Sequence, residues 1–209
     1  MTAPMLTWVV TGAAGAGKSL AAATLAERGV PVVDGDALGH ELLERPEIRA
    51  AIAARLGEAF VGPDGVDRAA LGRRVFGDPA ALAVLNGITH GPLADLAGER
   101  LAALRDTGRH VLAVFEAAVY FLLPSPPAAD MVIVVTAPPE LRIARLVARS
   151  GGRLPEAEAR ARVAAQAPMA ADWERRADHV ISNDGTEMEL AAAVRALHER
   201  HFPGSEKLP

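Results

Sequence analysis

The chain contains no cysteine. Disulfides, cysteine nucleophiles and thiolate metal sites are therefore excluded, and a reducing compartment suits the composition. Aromatic residues are also scarce, at 4% of 209 residues. The core has to be built mainly from Ala, Leu and Val. No apolar run approaches the length of a membrane span. Residues 1–5 lack the charged opening of a signal peptide and lead straight into an apolar strand, so the cytoplasm is the expected location. The formal charge of −4 gives no general attraction for nucleic acid or anionic membrane, and neither is expected as a partner. Basic residues can still gather around an anionic ligand. An Asn-Lys-x-Asp guanine-reading motif is missing. So is a glycine-bearing Asp-x-x-Gly segment after the third strand. Both absences weigh against a GTP-driven switch.

Half the residues are hydrophobic and 23% are charged. That balance suits a globular protein of one domain, with or without an inserted subdomain. The organising stretch is Gly12-Ala13-Ala14-Gly15-Ala16-Gly17-Lys18-Ser19. It fits the P-loop pattern of a glycine, four residues, then glycine, lysine and serine or threonine. Its small residues let the backbone wrap a phosphate with N–H groups pointing inward. The helix N-terminus behind it adds partial positive charge. Lys18 has the reach to meet β- and γ-phosphates, and the Ser19 hydroxyl can ligate Mg²⁺.

Along the chain, strands are expected at 5–11, 30–33, 110–115, 131–135 and 179–182. Helices are expected at 18–28, 37–43, 137–149, 155–167 and 186–201. The stretch 46–107 reads as helices with breaks and no strand-like alternation. Within it lie a turn at Gly62-Pro63-Asp64-Gly65, a cap at Asp67, a cap-then-proline start at Asp78-Pro79, and a further helix from Pro92. Alternating strands and helices imply an α/β fold with a parallel sheet covered on both faces. Ligands of such sheets bind beyond the carboxyl ends of the strands. That rule places the loop, Asp34-Gly35-Asp36 and Glu116 along one edge.

Several residues carry more than one reading. Asp36 is placed to act as a base for an acceptor hydroxyl, or to cap the following helix. Asp34 holds Asp36, binds Mg²⁺ through water, or ends the strand. His40 shares a helical face with Asp36 and either contacts substrate or is solvated. Glu116 organises Mg²⁺ or substrate, or is a solvated strand end. Arg142, Arg145 and Arg149 share one helix face. The spacing fits a phosphate clamp or a solvated basic stripe, with function favoured for Arg145 and Arg149. Gly151-Gly152, followed by Arg153, Arg160 and Arg162, suggests a mobile lid.

With these residues assembled, the chain resembles the dephospho-CoA kinase family over roughly residues 6–201. The resemblance rests on Val32-Val33-Asp34-Gly35-Asp36 with His40, residues 66–71 and 75–79, Arg162-Val163-Ala164-Ala165-Gln166, and residues 177–185. It implies a P-loop kinase fold: a five-stranded parallel sheet flanked by helices, a helical acceptor-binding insertion and a small lid. The implied core is 1–36 and 108–209, with the acceptor subdomain at 37–107, the lid at 150–168 and a tail at 202–209. The implied activity is ATP-dependent phosphorylation of the ribose 3′-hydroxyl of dephospho-CoA, with Mg²⁺.

The implied catalytic residues are Asp36, Lys18, Arg145 and Arg149. The nucleotide falls to Gly12, Ala13, Ala14, Gly15, Ala16, Gly17, Lys18, Ser19, Leu20, Asn183 and Gly185. Asp34, His40, His90 and Glu116 face the acceptor, and Ser19 the metal. The chain departs from the family pattern in several places, and its lid hinge is slightly long. It has Leu122 in place of an acid, a residue inserted in His90-Gly91-Pro92, Ala16 for serine, and Leu20 for threonine. The competing readings are a kinase for another nucleoside or nucleotide and a non-catalytic ATP-binding module. The oligomeric state is not set by the sequence.

Overall fold

The computed structural model describes residues 4–204. The tail positions 205–209 lie outside the described residues. The chain divides into two compact units. The first comprises Met1–Val33, Arg100–Phe121 and Ala128–Pro209, and the second Asp34–Glu99 and Leu122–Pro127.

The first unit is built on a five-stranded sheet. Its strands are β1 (Leu6–Thr11), β2 (Val32–Asp34), β5 (Leu112–Glu116), β6 (Met131–Thr136) and β7 (His179–Ser182), in the order β2-β5-β1-β6-β7. The pairs β1–β5, β1–β6 and β6–β7 are parallel. Strands β1, β5 and β6 read as almost uninterrupted apolar runs because both of their faces are covered. On one face, Trp8, Val10, Val114, Ile133 and Val135 pack with Ala21, Ala22 and Leu25 of α1 (Lys18–Ala26) and Leu190, Val194 and Leu197 of α8 (Glu187–His201). Elsewhere Ala13 and Val134 meet Trp173 of α7 (Glu156–Arg176). Ile143 and Leu146 of α6 (Pro139–Arg149) pack with Ala159 and Val163 of α7.

Register sets the functional edge. Val10 lies opposite Glu116, Thr11 opposite Val134, and Thr136 opposite Ser182. The loops after β1, β5, β6 and β7 therefore leave the same end of the sheet. After β1 the chain adds β2 and β5 on one side of it and then β6 and β7 on the other, and such a switch in strand order is where ligands of these sheets bind. At the opposite end two aspartates lengthen the ladder. Asp130 and Asp178 accept from the N–H groups of Thr7 (2.7 Å) and Val132 (2.8 Å), and their own N–H groups return bonds to the same residues.

Two helices run further than expected. Segment 79–106 is one helix, α5 (Pro79–Asp106), passing through Pro92. Helix α7 continues through Pro168 to Arg176. An interior proline costs about 3 kcal/mol through a lost N–H and a steric clash. Burial beyond each proline offsets it: Leu93, Leu96 and Leu101 in α5, and Trp173 in α7, are all buried.

The second unit contains α2 (Gly35–Leu43), α3 (Pro46–Leu56), α4 (Arg68–Phe76) and the first part of α5. Its core joins Ile48 and Ile52 to Leu71, Val75, Ala81 and Ile88. The expected absence of strands here needs correction. Gly62-Pro63-Asp64-Gly65 turns an antiparallel hairpin of β3 (Val61–Gly62) and β4 (Gly65–Val66). Two-residue strands are too short to show alternation. Asp67 caps α4 through the Ala70 N–H (2.9 Å), and Asp78 caps α5 through those of Ala80 and Ala81, as their spacing predicts. Among the described residues no helix is long and apolar enough to cross a membrane.

His198 of α8 is fully buried and accepts a hydrogen bond at Nδ1 from Arg28 Nε (3.2 Å). Burial and the Arg28 charge push its pKa down, His201 adds to this, and Glu199 opposes it. The unfolded chain therefore binds a proton that the native state resists. The stabilisation is complete above about pH 6.5 and declines as pH falls through the folded pKa. We expect Tm to drop between pH 7 and pH 5, with a shallower fall in His198→Gln. Calorimetric melts across that range measure the difference.

Candidate active site

The loop Gly12–Ser19 lies between β1 and α1, at the sheet's switch point. Each of its glycines is required. Gly12, Gly15 and Gly17 have φ of 142°, 78° and 110°, a region that side chains rarely adopt. Each also abuts another segment. A Cβ on Gly12 would overlap the Val135 carbonyl, one on Gly15 would lie 2.6 Å from the Arg142 carbonyl oxygen, and one on Gly17 would overlap the Asn183 amide. The loop is thus moulded against the ends of β6, α6 and β7.

Hydrogen bonds complete the mould. Asn183, which is buried, donates from Nδ2 to the Ala16 carbonyl (2.7 Å). Arg145 donates to the Asn183 backbone carbonyl and to its Oδ1, both at 3.2 Å. Further along the loop, Ala14 N–H donates to Gln166 Oε1 (2.9 Å), and its carbonyl accepts from Arg142 Nε (2.9 Å). Arg142 is buried, and burial lowers its pKa. Next to the loop, Thr186 and Glu189 form a reciprocal cap at the start of α8, and these bonds hold the Glu189 carboxyl below its usual range. Gly185 abuts the Glu189 carboxylate so closely that a Cβ would overlap it.

Over the loop lies a cavity of about 380 Å³, lined on one side by Gly15, Gly17, Lys18, Ser19 and Leu20. Arg145, Arg149 and Glu187 line it elsewhere. That volume falls in the range of small-molecule sites. The lining is cationic and backs onto the N-terminus of α1, an arrangement that attracts anionic phosphate. Ser19 Oγ donates to the carboxylate of Glu116 (3.2 Å), which is buried at the end of β5. A hydroxyl and a carboxylate form a hard oxygen pair. Among the described residues no group of three or more His, Asp or Glu gathers to hold a metal. Such an oxygen pair fits Mg²⁺, which commonly takes one or two protein oxygens and completes its shell with phosphates and water.

The family model for dephospho-CoA kinase matches residues 7–189. This chain belongs to the dephospho-CoA kinase family. A dephospho-CoA kinase of Thiobacillus denitrificans is 43% identical over 98% of this chain and 100% of its own length. That of Geobacter sulfurreducens is 37% identical over 93% and 98%. Among solved structures, the Thermus thermophilus protein TT1252 has a TM-score of 0.72 and 32% identity, covering 94% of this chain and 98% of its own. The dephospho-CoA kinase of Campylobacter jejuni shares the fold at a TM-score of 0.58 and 21% identity, covering 93% and 96%. The five-stranded P-loop kinase architecture expected from the sequence is thus found. The chain is a kinase.

In this dephospho-CoA kinase family member the first unit assembles the phosphate loop, Leu20, Glu116, Arg145, Arg149, Asn183 and Gly185. Asp34, Asp36, His40 and His90 belong to the second unit. Asp34, not Asp36, caps α2. Its Oδ1 accepts from the N–H groups of Asp36 (2.8 Å) and Ala37 (3.1 Å), so the helix begins two residues earlier than expected. Asp36 sits exposed in the first turn, relieved of capping. His40 is exposed four residues later. His90 Nδ1–H donates to the Leu122 carbonyl (3.2 Å), and its pKa is lowered by burial, with that bond opposing.

Sequence reasoning missed how Arg142 and Gln166 engage Ala14, and that Glu187 lines the cavity. Arginine periodicity gives a helix face, but not which arginine turns to the loop backbone and which to the cavity. Glu187 carried no local signal beyond an acid in a first helical turn.

Proposed function

We infer that this chain transfers the γ-phosphoryl group of ATP to the 3′-hydroxyl of dephospho-CoA, giving coenzyme A and ADP. The observation that carries this reading is the loop of Gly12–Ser19, moulded against three other segments beneath a cationic cavity, in a chain of this family. In the reaction a bond forms between the ribose 3′-oxygen and the γ-phosphorus, and the bond to the β–γ bridging oxygen breaks. Asp36 orients the acceptor hydroxyl and takes its proton. Asp34 aids this by fixing the α2 N-terminus. Lys18, the loop N–H groups, Arg145 and Arg149 bind the triphosphate and stabilise its charge during transfer. Ser19 and Glu116 would hold Mg²⁺, which would supply charge neutralisation to the phosphates. Asn183 and Gly185 shape the nucleotide end of the site, and Leu20 flanks it. His40 and His90 serve the acceptor within the 37–107 segment, and segment 150–168 closes as a lid. Closure excludes water and so limits ATP hydrolysis without acceptor. We place the enzyme in the cytoplasm, without a nucleic-acid or membrane partner.

Acceptor-dependent ADP release tests this reading. With dephospho-CoA, adenosine and nucleoside monophosphates compared at equal concentration, dephospho-CoA should give the highest rate. A higher rate with another acceptor would reassign the substrate.

A further inference from the structure

Arg142 does not line the cavity above the phosphate loop, yet it is bound to that loop more closely than Arg145 or Arg149. Its Nε donates to the Ala14 carbonyl (2.9 Å), and its Nη2 donates to Gln166 Oε1 (3.1 Å). The same Gln166 oxygen accepts from the Ala14 N–H (2.9 Å). Ala14, Arg142 and Gln166 form a closed ring of three hydrogen bonds. Both polar groups of the Ala14 peptide position are thereby fixed from outside the loop, one by α6 and one by α7. The backbone of residue 142 is equally close, since a side chain at Gly15 would strike its carbonyl.

The acceptors in this ring are a backbone carbonyl and a neutral amide oxygen. Arg142 is only 5% exposed, and among the described residues no carboxylate pairs with it. A buried guanidinium without a counter-charge is costly, and a neutral donor would satisfy the same acceptors. The charge becomes useful when an anion enters the loop, because a fixed cation in a poorly solvated setting acts strongly on nearby negative charge.

We propose that Arg142 is a buried counter-charge for the triphosphate, and that Gln166 is the positioning residue that holds both Arg142 and the Ala14 peptide in place. Arg142 acts through its field and its grip on the loop rather than by touching phosphate. The inference rests on the kinase reading, because only a bound polyphosphate supplies the missing negative charge.

The test uses the full chain with ATP and Mg²⁺ but no acceptor. Calorimetric titration gives the ATP Kd, and thermal melts give the ligand-free Tm. Arg142→Met, which removes the charge and leaves the Ala14 carbonyl without its donor, is expected to lower the ligand-free Tm modestly while weakening ATP binding about tenfold, with a smaller effect on ADP. Arg142→Lys, which keeps the charge, should recover most of that affinity. Gln166→Glu preserves both accepted bonds but neutralises Arg142. It should raise the ligand-free Tm and weaken ATP severalfold, and it decides the matter if Arg142→Met does not fold. ATP affinities within twofold of wild type in the folded variants would make the ring a structural fastener and overturn the proposal. Equal loss in the Met and Lys variants would overturn the charge role. Failure of the wild-type protein to bind ATP would instead remove the kinase reading itself.

Discussion

Lys18→Ala is expected to lower kcat/KM for ATP by on the order of 10³-fold while leaving the fold intact. Lys18 lines the cavity together with Gly15, Gly17 and Ser19. Its ammonium group is the cation supplied by the loop itself, set at the N-terminal end of α1. As the γ-phosphoryl group transfers, charge shifts toward the β–γ bridging oxygen, and a cation held at that point acts more on the transition state than on bound ATP. Both kcat and KM should therefore worsen, with kcat changing more. The loop should keep its shape, because its glycines abut Val135, Arg142 and Asn183 whatever side chain stands at position 18. Circular dichroism and Tm close to wild type, together with the rate loss, would separate a chemical role from a folding defect.

Asp36→Asn is expected to lower kcat by about 10²–10⁴-fold, the usual range for loss of a general base, with KM for ATP changed less than threefold. The expectation of an unchanged KM rests on structure. Every residue lining the cavity over the phosphate loop belongs to the first unit, whereas Asp36 belongs to the second. Asparagine also leaves the helix start intact, because Asp34 provides the cap of α2. A normal kcat in this variant would remove Asp36 as the base. A large rise in KM for ATP would instead place it with the nucleotide. Steady-state kinetics with each substrate varied in turn distinguishes these results.

The phosphate loop was legible in the sequence because geometry leaves it few alternatives. Three positions take positive φ against backbone or side chains of other segments, and only glycine tolerates all three. The strands were legible because burial on both faces makes them continuous apolar runs. Other features were hidden for physical reasons. Asp34 and Asp36 both suit a helix start, and only the fold decides which one caps. Pro92 and Pro168 mark breaks in an isolated helix, but the burial of Leu93, Leu96 and Trp173 beyond them carries each helix onward. The hairpin β3–β4 is too short for any periodicity. Asn183 was expected at the nucleotide. The structure turns its side chain inward to Ala16 and Arg145, contacts between residues far apart in the chain. Gln166 likewise belonged to a recognisable run, but its bond to Ala14 spans 152 positions and leaves no local trace.

The most direct test of the account is to incubate the protein with ATP, Mg²⁺ and dephospho-CoA and to identify the product by mass and by the position of the new phosphate. The expected product is coenzyme A, phosphorylated at the ribose 3′-oxygen and formed in equal amount with ADP. Recovery of dephospho-CoA unchanged by protein that binds ATP would contradict it.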